Sequence, residues 1–240
     1  MIELYAMGSP NVVKIYIALE EMGLPYNVHP VDVFNEGQFS AEFLKLNPNA
    51  KVPVIVDSEG PGGKSYTLFE SGAILQYLAD KTGKFLAKDG VARYDALQWM
   101  MVQMTMIGPM WGQYVHFMRF APQGEGNKYA HDRYRTQVMK TLDVVEKRLG
   151  EAAFLGGAEY SIADIATFPW LRNIGPLIGQ AVVGQYPKIA AWVAGIAARP
   201  AVAKALAAVD DVRTKTTQFD KAGEAEKDRL FGRGQYNAAA

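Results

Sequence analysis

The feature that most constrains this chain is a change of pattern about a third of the way along it. Up to that point short apolar runs alternate with amphipathic stretches, and beyond it only helical periodicity remains. IELYA reads as a strand, NVVKIYIALEEMG as a helix stopped by Gly23, and PYNVHPVDV as a second strand with period-two character at Tyr26, Val28 and Val31. Strand, helix and strand in that order predict a right-handed parallel crossover. A polar loop, NEGQFS, and a short helix around AEFLKL come next. KVPVIVD and YTLF then read as strands joined, like an antiparallel hairpin, by the Gly-rich turn SEGPGGKS. ESGAILQYLADKTG closes this part as an amphipathic helix, with Ile74, Leu75, Tyr77 and Leu78 on one face and Gly83 at its stop.

After this the strand signals cease. RYDALQWMMVQMTMIGPMWGQYVHFM and YAHDRYRTQVMKTLDVVEKRLG predict two long helices, and SIADIATFPWLRNI, YPKIAAWVAGIAARP and PAVAKALAAV three shorter ones. SIAD is a capping box, in which Ser161 and Asp164 each satisfy a backbone N–H at a helix start. The expected fold class is therefore α/β plus all-α, with a mixed domain over 1–84 and an all-helical domain over 87–210. The segment 211–240 is polar and charge-rich, which favours a solvated tail. Phe219, Leu230, Phe231 and Tyr236 give it the means to dock, and a tail that wraps back on the body is expected.

Charge and cysteine content narrow the function. Lys plus Arg and Asp plus Glu balance at 25 each, so the bulk attraction of a general nucleic-acid or membrane-surface binder is missing. The chain has no cysteine, which excludes disulfides, thiolate metal sites and a thiol nucleophile carried by the protein. MIELYAMGSPN lacks the basic start, apolar segment and cleavage site of a secretory signal, and no later apolar run reaches the roughly 18 residues of a membrane span; a cytoplasmic protein is expected.

Several residues are placed to do chemistry. SPN, Ser9 to Asn11, opens the first helix where thiol–disulfide enzymes keep a reactive cysteine, because a helix N-terminus stabilises a thiolate. With no cysteine here, sulfur chemistry at this turn needs an outside source. Val52-Pro53 begins a strand: a trans proline at the first residue of an edge strand is one reading. A cis bond that turns the Val52 N–H and C=O towards an extended peptide ligand is the other. Glu70 and Ser71 stand at a helix start, either as a plain cap and first-turn charge or as a site for an α-carboxylate and an ammonium. Gln38 and Lys51 can hold a second carboxylate. These residues all fall at strand ends or helix starts, the edge at which open α/β folds bind ligands. Tyr5 lies inside the first strand and is assigned to packing. His29, His116 and His131 show neither metal spacing nor an obvious Asp partner, so none is assigned a catalytic role and no metal site is expected. The methionines of WMMVQMTMIGPM are assigned to a helix or subunit interface.

The residues VP before a strand, ESGAIL at a helix start and SIADIA in a helical second domain resemble the cytosolic glutathione transferases, from the first strand to about residue 207. SPNVVKI, NPNAKVPVIVD, LFESGAILQYLA, GPMWGQYVHF and the long tail resemble the nu class, which includes bacterial glutathione-dependent disulfide-bond oxidoreductases. The resemblance implies a thioredoxin-like first domain and supplies the sulfur: glutathione itself. It implies that the glutathione backbone pairs with Val52 ahead of a cis Pro53, that Glu70 and Ser71 hold the γ-glutamyl end, and that Gln38 and Lys51 are further polar contacts. Arg133 matches a position reaching the ligand from the helical domain, and Gln103 one approaching from the neighbouring subunit of a homodimer. Ser9 and Asn11 match the positions that point hydrogen-bond donors at the sulfur; the family usually has Thr where this chain has Ser9. Met106, Trp111, Phe117 and the tail are expected to line the pocket for the second substrate. The expected activity is disulfide exchange by a bound glutathione thiolate. Transferase or ether and thioether cleavage chemistry, a silent glutathione-binding regulator and a scaffold dimer are the alternatives.

Overall fold

The computed structural model describes residues 1–122 and 124–233. Four strands, β1 (Ile2–Ala6), β2 (Tyr26–Pro30), β3 (Val54–Asp57) and β4 (Tyr66–Phe69), form one sheet in the order β2-β1-β3-β4. β1 runs parallel to β2, and β3 pairs antiparallel with both β1 and β4. Helix α1 (Pro10–Met22) makes the crossover and ends where Gly23 adopts a left-handed conformation, φ 71°. Helix α2 (Ala41–Leu46) is capped by the Ser40 hydroxyl, and α3 (Ser71–Thr82) follows β4 directly.

The rest is helical: α4 (Gly90–Val102), α5 (Gly108–Val115), α6 (Glu125–Glu151), α7 (Ile162–Leu171), α8 (Ile174–Ile178), α9 (Gln180–Val183), α10 (Pro187–Ala197), α11 (Pro200–Thr214) and α12 (Glu224–Phe231). The first long helix of the sequence reading is not continuous. It passes through two π-helical turns, Gln103–Ile107 and His116–Phe120. Pro109, in the first turn of α5, lacks an N–H to donate backwards, and the wider first turn absorbs the mismatch.

One apolar core runs through both parts. Leu4, Ile15, Ile55, Ile74 and Leu75 from the sheet side meet Trp111, Leu142, Ile165 and Phe168 from the helices. Each such buried side chain is worth about 1.5–3 kcal/mol relative to exposure. α1 is the common element, packed against α3, α7 and α11. All ten residues of α7 are buried, and its start is fixed by the Ser161–Asp164 capping box. The Asp164 carboxylate also accepts from Trp192 Nε1 at 3.0 Å and from the Leu155 N–H at 2.9 Å.

The end of the chain folds back. Phe231 stacks on Phe120 (4.5 Å, 18°), Phe219 and Phe231 flank Phe34, and Arg229 Nη1 reaches both oxygens of Glu36 at 3.0 Å. α12 thereby straps the 33–39 loop to the second π turn. Tyr236 lies outside the described residues.

Candidate active site

The first turn carries an unusual surplus of donors. Ser9 caps α1 with extended backbone angles (φ −110°, ψ 155°), yet its hydroxyl makes no capping bond; its carbonyl instead accepts from both Val12 and Val13 at 3.0 Å. Among the described residues, neither the Ser9 hydroxyl nor the Asn11 amide has a hydrogen-bond partner. Two polar side chains thus stand free at the positive end of a 13-residue helix. The turn is pressed from behind by Arg213 of α11. A Cβ on Gly8 would lie 2.5 Å from Arg213 Cγ, so a larger residue there would displace the Arg213 side chain.

The second wall is the segment ahead of β3. Val52-Pro53 is cis, and Val52 lies just outside the strand ladder that begins at Val54. Asn47, 2 % exposed, holds this segment: its Nδ2 donates to the Lys51 carbonyl at 2.7 Å and its Oδ1 accepts from the Asn49 N–H at 2.9 Å. Lys51 itself is exposed. On the 33–39 loop Gln38 is only 1 % exposed, and neither its Oε1 nor its Nε2 finds a partner within the protein. A buried amide left unpaired on both sides costs about 1–3 kcal/mol per group, a cost that none of the surrounding protein contacts offsets.

The third wall is the start of α3. Glu70 sits at φ 68°, ψ 113°, a conformation that costs a non-glycine residue about 1–3 kcal/mol and is met mainly at functional sites. Its side chain is exposed while Ser71, next to it, is buried. Beneath Ser71 lies Lys14, with 0 % exposure. Its Nζ donates to Ser71 Oγ at 3.1 Å, to Gln103 Oε1 at 2.6 Å and to Met104 Sδ at 3.5 Å. Burial pushes the Lys14 ammonium down to about 7, against the opposing pull of Glu70. Gly72 leaves room for Met104, whose Sδ would be 3.1 Å from a Cβ there.

Some expectations need correction. Gln103 does not extend towards a neighbouring subunit: it has 0 % exposure and is spent on Lys14 of its own chain. Among the described residues, Arg133 makes no hydrogen bond or ion pair with the three walls. It lines an open groove on α6 with Glu125, Tyr129 and Asp132. Trp111 is a core residue whose Nε1 donates to Thr141 at 3.2 Å, so it lines no substrate pocket. Phe117 stacks on Tyr134, and Met106 is exposed. Two histidines do have acidic partners, His29 with Glu3 and His131 with Asp132, although neither pair touches the first turn. Among the described residues no cluster of three potential metal ligands occurs. Tyr5 stacks on His29 at 4.8 Å.

Lys14, Asn47 and Arg213 were missed. The one signal for Lys14 was a cation in the midst of an otherwise apolar run, VVKIYIAL. Taken together, the three walls can hold an extended peptide with a carboxylate and an ammonium at one end and present free donors to its middle. They hold no nucleophile of their own.

Comparison with known proteins places the fold in a family. Residues 8–81 match the glutathione S-transferase N-terminal domain and residues 102–200 the glutathione S-transferase C-terminal domain. The disulfide-bond oxidoreductase YfcG of Escherichia coli is 44 % identical over 208 residues, spanning 86 % of this chain and 94 % of that protein. A glutathione transferase family member from Pseudomonas fluorescens, solved with two glutathione molecules bound, superposes with a TM-score of 0.81 at 46 % identity over 85 % of this chain and 92 % of its own. A Pseudomonas putida glutathione transferase holding one glutathione disulfide per subunit superposes at 0.80 with 44 % identity, over 85 % and 90 %. With the sheet, the helical part and both family domains in agreement, this chain belongs to the glutathione S-transferase family.

Proposed function

We propose that this protein is a glutathione-dependent disulfide-bond oxidoreductase of the nu class, in which bound glutathione supplies the thiolate. The observation that carries the reading is the pair of unpartnered donors, Ser9 and Asn11, at the N-terminus of α1 in a chain without cysteine. A hydroxyl, an amide and a helix end hold a thiolate as a hydrogen-bonded anion but attack nothing. The YfcG relative, named for disulfide chemistry, and the neighbours solved with glutathione or its disulfide support the same reading.

In this reading the glutathione backbone lies along Val52 and Pro53, and its γ-glutamyl end meets Glu70 and Ser71. Gln38 and Lys51 take its other polar groups. The glutathione thiolate attacks one sulfur of a disulfide, the S–S bond breaks, and the departing sulfur leaves as a thiolate that takes a proton from solvent. A second glutathione thiolate then attacks the glutathione sulfur of the mixed disulfide, forming glutathione disulfide and releasing the remaining substrate sulfur as a thiolate that solvent protonates. Lowering the bound thiol towards ambient pH raises the reactive fraction until falling nucleophilicity offsets the gain.

We also infer a homodimer. Val91, Tyr94 and Met101 on α4, Met106 beyond it, and Tyr129 and Val144 on α6 are large apolar side chains exposed on the helical part, a surface suited to a second copy. Arg133 stands on this same α6. A cytoplasmic setting fits a co-substrate that the cell keeps reduced there.

The direct test is reduction of 2-hydroxyethyl disulfide by glutathione, coupled to glutathione reductase, for the wild type and Asn11→Ala. A wild-type rate well above background that falls by about 10²-fold in the variant, the size of one lost anion-stabilising donor, is expected. A background rate in a protein that binds glutathione overturns the oxidoreductase reading.

A further inference from the structure

A fully buried cation that this mechanism leaves unused is Lys14. An ammonium has three protons, and the structure gives each an acceptor: Ser71 Oγ, Gln103 Oε1 and Met104 Sδ. These acceptors come from α3 and the first π turn, so one buried cation ties the sheet side to the helical side directly beneath the carboxylate end of the proposed glutathione site. Ser71 has a single hydroxyl proton. Because its oxygen already accepts from Lys14, that proton is free to be donated, and within the protein its partner is the weak acceptor Met104 Sδ at 3.9 Å. A ligand carboxylate is a far better acceptor.

We propose that Lys14 is a positioning residue for Ser71: it accepts nothing, holds the Ser71 oxygen from below so that the hydroxyl donates to the γ-glutamyl carboxylate, and places a positive charge behind that carboxylate. The inference rests on the reading of Ser71 as a glutathione contact.

It has a consequence for pH. Burial leaves the Lys14 ammonium at about 7. A carboxylate bound above it favours the charged form, so binding takes up protons near neutrality and affinity falls as pH rises through that region. The charged neighbour felt at Lys14 is Glu70 from α3; the π turn offers Gln103 and Met104, which do not titrate. On α7 and α11, which also pack against α1, Asp164 is held by Ser161 and Trp192, Asp211 by Lys215, and Arg172, Asp210 and Arg213 face one another.

The test uses S-methylglutathione, which keeps both carboxylates and removes the titrating thiol. Calorimetry from pH 5.5 to 8.5, in buffers of differing ionisation enthalpy, reads affinity and proton uptake together. The wild type is expected to take up protons near pH 7 and to lose affinity above it. Lys14→Met, close to isosteric, is expected to bind about 10- to 100-fold more weakly with a flat pH profile, the range of one hydrogen bond to a charged group. Cys-Gly, which lacks the γ-glutamyl group, is expected to bind both proteins within about threefold, whereas general loosening of the fold would weaken both ligands alike. Adding Ser71→Ala to Lys14→Met is expected to cost little more than either alone. Equal affinity and equal pH profile in wild type and Lys14→Met overturn the inference and leave the glutathione reading standing. If Lys14→Met does not fold, absence of proton uptake by the wild type overturns it by itself. Failure of the wild type to bind S-methylglutathione or glutathione at millimolar concentration overturns the glutathione reading and the inference with it.

Discussion

The two ends of the proposed glutathione site are held by different physics. The Glu70–Ser71 end rests on the common core: Lys14, Gln103 and Met104 lie beneath it, and α3 packs directly on α1. The Gln38 end rides on a loop of 3₁₀ turns, braced from outside by the tail through Arg229–Glu36, Thr217–Asp32 and the Phe34–Phe219–Phe231 cluster. Local opening follows such differences, because exposed contacts part at lower cost than buried ones. The core-held end is therefore the fixed anchor of the ligand, and the strapped end is the part that can adjust.

If that contrast is right, perturbations should rank by which end they touch. Ser71→Ala removes a hydrogen bond to a charged ligand group, about 1.5–3 kcal/mol, and also one acceptor of the buried Lys14 ammonium, so glutathione affinity should fall and the thermal midpoint should fall with it. Calorimetry beside a melting curve checks this. An equal affinity would mean that the core-held end is not the anchor.

Asp57 braces α3 at its other end, through Tyr77 and Lys81. Burial alone would raise its carboxyl, but hydrogen bonds from Lys81 (2.7 Å), Tyr77 (2.6 Å) and the Glu59 N–H outweigh this and hold it below the usual carboxylate range. A lowered folded-state value means that its contribution is present above the unfolded value and lost as pH falls through the folded one. Asp57→Asn should cost about 1–3 kcal/mol at neutral pH, and the gap from wild type should close as pH falls below about 4. Denaturant titrations at several pH values read it directly.

The strapped end should give smaller effects. Truncation after Gln218 removes Phe219 and α12 and is expected to weaken glutathione by about 1 kcal/mol, by loosening the loop that presents Gln38, while leaving the melting midpoint nearly unchanged. Arg229→Ala breaks only a partly exposed ion pair and its packing on Phe39, and a change of about 0–1 kcal/mol in affinity is expected. A truncation effect larger than that of Ser71→Ala would reverse the ranking and make the tail the principal clamp.

The same contrast explains what was legible in the sequence. Elements whose burial is periodic could be read: IELYA is Ile2–Ala6, the apolar run after SPN is α1, and SIAD caps α7 through both of its expected bonds. Ser9, Asn11, Val52, Glu70 and Ser71 could be placed because turns and helix starts have local signals. Periodicity states that a side chain is buried but not what it meets. Nothing in the apolar run VVKIYIAL therefore says what Lys14 meets, and Trp111 reads as pocket lining because an aromatic on a helix does not announce its partner Thr141. Gln103 was misplaced for the same reason, since its neighbour is 89 positions away. The first π turn was invisible because Pro109 at a helix start and Pro109 in a helix interior read alike until the preceding turn is seen.

The central claim is that this protein stabilises a thiolate it does not own. The most direct measurement is the pH titration of the thiol of bound glutathione, followed by ultraviolet thiolate absorbance, in the wild type and in Asn11→Ala. The account predicts that the bound thiol ionises below the free-thiol value of about 8.5 and that Asn11→Ala moves it back towards that value. A bound thiol that titrates as it does in free solution, in a protein saturated with glutathione, would contradict it.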